Sequence, residues 1–203
     1  MSSSTSSDQR AALIASVALF FSIIALRLVF ATTGSSLMGY SPMIAMVLCA
    51  AYFFRKPVQW LVPAAAYLIS DIWITVGIYE HSFSIVTPLV FVAFYIGLVA
   101  FSRRMGNRMT RLLPALFATA TGALAFYLIA NTLSWVGNPV YDKSLAGWIQ
   151  AQTTGDPAFA PTWTFFRASL VGNLLFTAAF IPLAHRKSQR VQAADPVCSV
   201  NQH

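Results

Sequence analysis

Charge is what this sequence has least of. Thirteen Lys and Arg and six Asp and Glu are spread over 203 residues, so charged residues make up 9%. A soluble domain carries about 25%, and so thin a supply cannot clothe a water-facing surface. Disorder is excluded as well, because hydrophobic residues reach 57% and mean hydropathy is +0.65. Cysteine is scarce. Cys49 lies in an apolar run and Cys198 near the C-terminus, and two thiols so placed offer neither a disulfide framework nor metal-ligand spacing. Enzyme signatures are missing. There is no His-Glu-x-x-His, no Gly-x-Ser-x-Gly, no phosphate-binding Gly-rich loop and no pair of aspartates within the apolar runs. The sequence therefore reads as an all-α integral membrane protein. It is expected to be no enzyme, to carry no cofactor and to have no nucleotide site that powers transport.

What is present is a series of long apolar runs. A spanning helix needs roughly 17–25 mostly apolar residues. Six segments qualify: Ala11–Phe30, Leu37–Phe54, Val58–Ile78, Phe83–Phe101, Leu112–Leu133 and Phe165–Leu183. Ala11–Phe30 is longer than the core of a signal peptide and is interrupted by Arg27, so it reads as a retained helix. The second segment carries Gly39 and Pro42 in its first turn and is expected to become helical only after Pro42. Pro63, Pro88, Pro114 and Pro182 lie near helix ends. The expected organisation is a disordered cytoplasmic N-terminus over 1–10, a six-helix domain over 11–183 and a disordered cytoplasmic tail over 184–203.

The formal net charge is +7, but its placement speaks of topology rather than nucleic acid. One set of connections carries Arg10, then Arg55 and Lys56, then Arg103, Arg104, Arg108 and Arg111, then Arg186, Lys187 and Arg190. The opposite set carries Lys143 alone. This alternates through all six spans and puts both termini in the cytoplasm. Glu80, Asp142 and Asp156 fall on the outer side. The last outer connection, Ser134–Thr164, is the longest. Asp142 is expected to cap a short interfacial helix there, with Leu145, Trp148 and Ile149 on one face.

Polar groups within spans are expensive and default to functional candidates. Arg27, Asp71 and Arg167 stand in the outer halves of the first, third and sixth spans. All three fit one depth, with a local charge near +1. One reading is a pocket open to the outside for an anionic or carboxylate-bearing ligand, with Asp71 orienting an arginine. The other is an Asp–Arg pair that pins two helices, with the second Arg snorkelling to the interface. Asn131 and Asn173 serve either as interhelical hydrogen-bonding groups or as pocket lining. His81, beside Glu80, is either a solvated loop residue or a lid group. Trp73, Tyr79, Trp135, Tyr141, Trp148 and Trp163 crowd the outer side, as an interfacial belt or as a mouth for a flat ligand. Ala11 with Ala15, and Ala118 with Gly122, form small-x-x-x-small pairs for close helix approach.

Several motifs carry a resemblance. They are Ser41-Pro42, Leu68-Ile69-Ser70-Asp71, Ser144-Leu145-Ala146-Gly147, Phe165-Phe166-Arg167 and Leu170-Val171-Gly172-Asn173. Over residues 25–183 the chain resembles an uncharacterised family of small bacterial six-helix membrane proteins, a domain of unknown function. That family tends to have Gly-Asp where this chain has Gly172-Asn173, and Cys-Tyr within the stretch that is Gln150 to Thr153 here. More distantly, it is similar to the S components of energy-coupling-factor vitamin transporters and to small cobalamin transporters. That likeness implies the bacterial inner membrane, a vitamin-like ligand near the outer face and an energising partner subunit. It implies a site around Arg27, Asp71, His81, Trp148 and Arg167, with Asn173 nearby, and a docking face at Ala11 and Ala15. No metal is expected unless the ligand is a cobalamin, where His81 is the available ligand atom source. Two functions remain open at this stage. One is a solute-binding or transport subunit for a small organic nutrient; the other is a scaffolding subunit of a membrane complex.

Overall fold

The computed structural model describes residues 41–53, 57–78 and 85–194, with scattered positions between 21 and 32. Among these residues every regular element is helical. They are α1 (Met43–Phe53), α2 (Pro57–Ile72) continued by a π-helix (Trp73–Ile78), α3 (Val86–Met105), a 3-10 turn (Gly106–Thr110), α4 (Leu112–Gly137), α5 (Leu145–Gln152) and α6 (Thr162–Ala194). Three stretches are long and apolar enough to cross a bilayer: Val86–Thr110, Leu112–Gly137 and Thr162–Pro182. The described part of the chain is thus all-helical and membrane-like.

The exposure pattern is the inverse of a soluble protein's. Leu113, Phe117 and Leu175 are 78%, 75% and 65% exposed, whereas the face that α4 turns inward is small and weakly polar. On α4 the buried face is Ala115, Ala118, Thr119, Gly122 and Ala123. Burial of large apolar groups gains little against lipid, so close backbone approach and short hydrogen bonds hold the helices together. Gly122 shows this directly. A Cβ added there would sit 2.8 Å from Ile44 Cγ2 and 3.2 Å from Leu98 Cδ2. The Ala118–Gly122 pair therefore seats α4 against α1 and α3. Ala11 and Ala15 lie outside the described residues.

α1 is the core helix. Every side chain from Met43 to Ala51 is at most 9% exposed, because the helix is apolar on all faces and α2, α3, α4 and α6 surround it. It is helical only after Pro42, as its sequence demands, and at eleven residues it is about 16 Å long. Polar clasps tie α1 to α3 and, beside it, α4 to α6. Ser102 Oγ donates to Leu48 O at 2.7 Å, and Thr119 and Thr177 share a 2.9 Å hydrogen bond between α4 and α6.

Three expectations change. Pro182 lies within α6, which runs on to Ala194 rather than ending at Leu183; a proline in a spanning helix is tolerated where neighbours and local adjustment re-satisfy the freed backbone. The third apolar segment, expected as one helix, is α2 up to Ile72 and a π-helix from Trp73, directly after Asp71 and Ile72. The cap of α5 is Ser144, whose Oγ accepts from Gly147 N at 3.2 Å. Asp142 serves through its backbone instead, its carbonyl accepting the Trp135 indole N–H at 2.8 Å.

Candidate functional site

The site begins at the end of the bundle that carries the 138–161 connection. Arg27 Nη2 donates to Asp71 Oδ1 at 2.8 Å, with the two side chains 16% and 23% exposed. Two of the three charged residues picked out from the spans therefore do meet. The guanidinium also lies over the Tyr67 ring, 4.1 Å from its centroid, which adds a cation–π attraction. Tyr67 is one helical turn before Asp71 on α2, so a single face of that helix presents both partners to Arg27. Arg27 Nε is buried and makes no hydrogen bond.

Arg27, but not Asp71, lines a cavity of about 290 Å³, at the small end of ligand pockets. Its walls come from several helices: Tyr67 of α2, Tyr95 of α3, Phe126, Tyr127 and Asn131 of α4, and Phe165, Phe166 and Ser169 of α6. Ser41, Met43 and Ile44 line it at the start of α1. The aromatic walls are interlocked. Tyr67 meets Tyr95 edge-on at 5.1 Å, and Tyr127 lies 4.8 Å from Phe166. Tyr67, Tyr95 and Tyr127 each lie about ten residues from the capped end of their helices, roughly 15 Å down. The cavity thus combines a flat apolar lining with one arginine and a few short polar groups.

The connection above it is tied down. The Tyr127 hydroxyl donates to Gln152 O. Trp148 Nε1 donates to Thr132 Oγ1 at 3.0 Å, and Lys143 Nζ donates to Trp135 O and Asn138 O. α5 buries Gly147, Ala151 and Gln152 against its neighbours and leaves Leu145 and Ile149 exposed at 72% and 48%. Of the apolar face read from the sequence, Leu145 and Ile149 thus point outward, which suits a helix lying at a membrane surface, while Trp148 turns in to Thr132.

The remaining candidates sit elsewhere. Arg167 is exposed and stacks on Trp163 at 5.4 Å, away from the cavity lining. The expected +1 site is therefore a neutral Arg27–Asp71 pair. Trp148 fastens α5 and does not line the cavity. Asn173 is fully buried beneath it. Its Oδ1 accepts from Ala45 N at 2.8 Å, and its Nδ2 donates to Ser41 O and Ser169 O at 3.2 and 2.8 Å. It holds the wall rather than forming it. His81 lies outside the described residues. Trp73 and Trp163 are 66% and 49% exposed, so the ring walls are tyrosines and phenylalanines and the tryptophans stand outside them. The signal for those walls was a tyrosine at similar depth in three successive spans, each with a hydroxyl to satisfy.

No curated protein and no solved structure matches the chain. The profile described as "Family of unknown function (DUF6580)" matches residues 6–194. With that much of its length covered, the chain belongs to the DUF6580 family.

Proposed function

We propose that the protein is a six-span subunit of the bacterial cytoplasmic membrane that binds a small organic molecule in the Arg27–Tyr67–Tyr127 cavity. The single observation that carries this reading is the cavity itself. A half-open cleft of about 290 Å³, walled by aromatic rings with one arginine and a few polar groups, has the make-up of a small-molecule site. The six spans rest on the alternation of basic connections, and that alternation puts the cavity toward the outer face. In this arrangement the protein is similar to the S components of vitamin transporters, which present a ligand from the outer face and rely on a partner for energy. The cavity size favours a ligand of one or two rings over a corrinoid.

A second reading is a scaffolding subunit. The Arg27–Asp71 pair supports it, because such a pair also pins two helices. A thermal-shift screen of the purified protein in detergent separates the two. A ligand at 100 times its dissociation constant adds about 2.7 kcal/mol. Stabilisation by a ring compound that is lost when Ala130→Trp fills the cavity supports binding. No stabilisation across the panel, with Asp71→Asn simply less stable, supports the scaffold.

A further inference from the structure

We infer that the ligand of this cavity is a planar aromatic carboxylate, and that Asp71 occupies its place on Arg27 while the cavity is empty. This rests on the binding reading above and names the ligand class. It also changes the role of Asp71 from a group that orients the arginine to one that competes for it.

The argument starts from the donors of Arg27. A guanidinium offers five N–H groups in a rigid fork that suits a carboxylate bidentately. Asp71 takes it through one contact, Nη2 to Oδ1 at 2.8 Å. Nε is buried with no partner. A buried charged donor left unpaired is costly, and natural interiors keep few of them. The Nε edge of Arg27 is thus an unfilled half of a carboxylate site, on a side chain that lines the cavity.

The rest of the lining selects the body of the ligand. Tyr67 already holds the guanidinium plane over its ring, so a bound carboxylate would lie near the plane of that fork. Phe126, Tyr127, Phe165 and Phe166 offer ring faces beyond it. Tyr95, packed edge-on to Tyr67, adds a further ring to the lining. A flat ring joined to a carboxylate satisfies both halves, while an aliphatic acid leaves the aromatic faces idle. A cationic ligand would meet Arg27 with like charge. Among the described residues, the charged and titratable groups around the pair are Arg27, Asp71, Tyr67 and Tyr95. Arg167 is turned away, so Arg27 is the anchor.

The experiment uses the full-length protein in detergent and matched acid–amide pairs: nicotinate with nicotinamide, indole-3-acetate with indole-3-acetamide, and 4-hydroxyphenylacetate with its amide. Binding is read by calorimetry and thermal shift. At least one acid is expected to bind while its amide does not. Asp71→Asn removes the internal competitor and is expected to tighten acid binding about tenfold, although the empty protein becomes less stable. The double variant Arg27→Gln/Asp71→Asn removes both charges together and is expected to lose acid binding while still folding. Amides that bind as well as acids, or acid binding unchanged in the double variant, overturn the carboxylate assignment and leave the binding reading standing. Weaker acid binding in Asp71→Asn overturns the competitor role. No binding by any pair, with the Ala130→Trp variant indistinguishable from the parent, overturns both.

Discussion

Asn173 Oδ1 accepts the backbone N–H of Ala45 at 2.8 Å, across 128 residues of sequence. Ala45 is the third residue of α1, the position that an N-cap side chain ordinarily serves. Pro42 stands at that N-cap and has no side-chain acceptor; its carbonyl takes the first helical bond, from Met46 N at 2.9 Å. α6 therefore supplies in space the cap that the local sequence lacks. The same amide donates to Ser41 O and so fixes the turn into the helix.

Asn173→Leu is expected to destabilise the protein by about 2 kcal/mol, since it strands the Ala45 donor in the core. Asn173→Asp keeps an acceptor at a helix N-terminus, where negative charge is favoured, and should cost less. Detergent melting curves of the two variants, ranked against the parent, check the order. Equal losses would show that the acceptor is not what matters.

The Arg27–Asp71 pair should behave as a unit. Removing either partner leaves a half-buried charge without its counterion and is expected to cost about 2 kcal/mol, less than the 3–5 kcal/mol of a fully buried pair because both groups keep some solvent. Arg27→Gln/Asp71→Asn should recover part of that loss. A double-mutant cycle measures the coupling; additive losses would mean the two side chains do not meet.

Gly122→Ala is expected to destabilise despite alanine's better helix propensity. The new Cβ meets Ile44 Cγ2 at 2.8 Å, and overpacking costs about 1–3 kcal/mol against a propensity gain of about 1 kcal/mol. Ile44→Ala removes the clashing methyl. Combined with Gly122→Ala, it should cost less than the two losses added. Chemical denaturation of the single and double variants decides the matter.

Gly147→Ala should act locally. Its Cβ would lie 2.1 Å from Asp142 O, a backbone atom that itself holds the Trp135 indole. The expected result is faster hydrogen exchange over residues 145–152 with the melting temperature of the bundle little changed. Protection equal to the parent's in that segment would count against a rigid α5.

Much of the fold was legible because lipid imposes a simple rule. Apolar length marks spanning helices, and α3, α4 and α6 follow it within a few residues at their starts. Pro42 also announced where α1 begins. The site was half legible. Arg27 and Asp71 stood out because charge within an apolar run is rare, and they do pair. Arg167 stood out for the same reason, with a site role and an outward-reaching role both open; hydropathy carries no rotational angle and could not show that it is exposed over Trp163 rather than lining the cavity. Of the two roles open to Asn173, the interhelical hydrogen bond is the one the structure shows, although nothing in its own helix says that Ala45 is the donor. The tyrosine walls were missed because Tyr67, Tyr95 and Tyr127 read as ordinary apolar filler until three helices bring them to one depth. The cap on α5 was assigned to Asp142 although Ser144, two residues on, is equally suited to that role and lies directly before Leu145.

The long-range cap has a consequence for biogenesis. α1 is buried on every side and entered through a turn that α6 holds. When α1 leaves the ribosome, most of its eventual neighbours have not been made. At about 5–20 residues per second, the 128 residues that separate Ala45 from Asn173 take roughly 6–26 s to synthesise. During that interval the segment has neither its cap nor its last wall. Maturation of the cavity is therefore a late, post-insertion step, gated by arrival of the final span, and a chain stalled before Asn173 would hold its helices in the bilayer without closing the pocket.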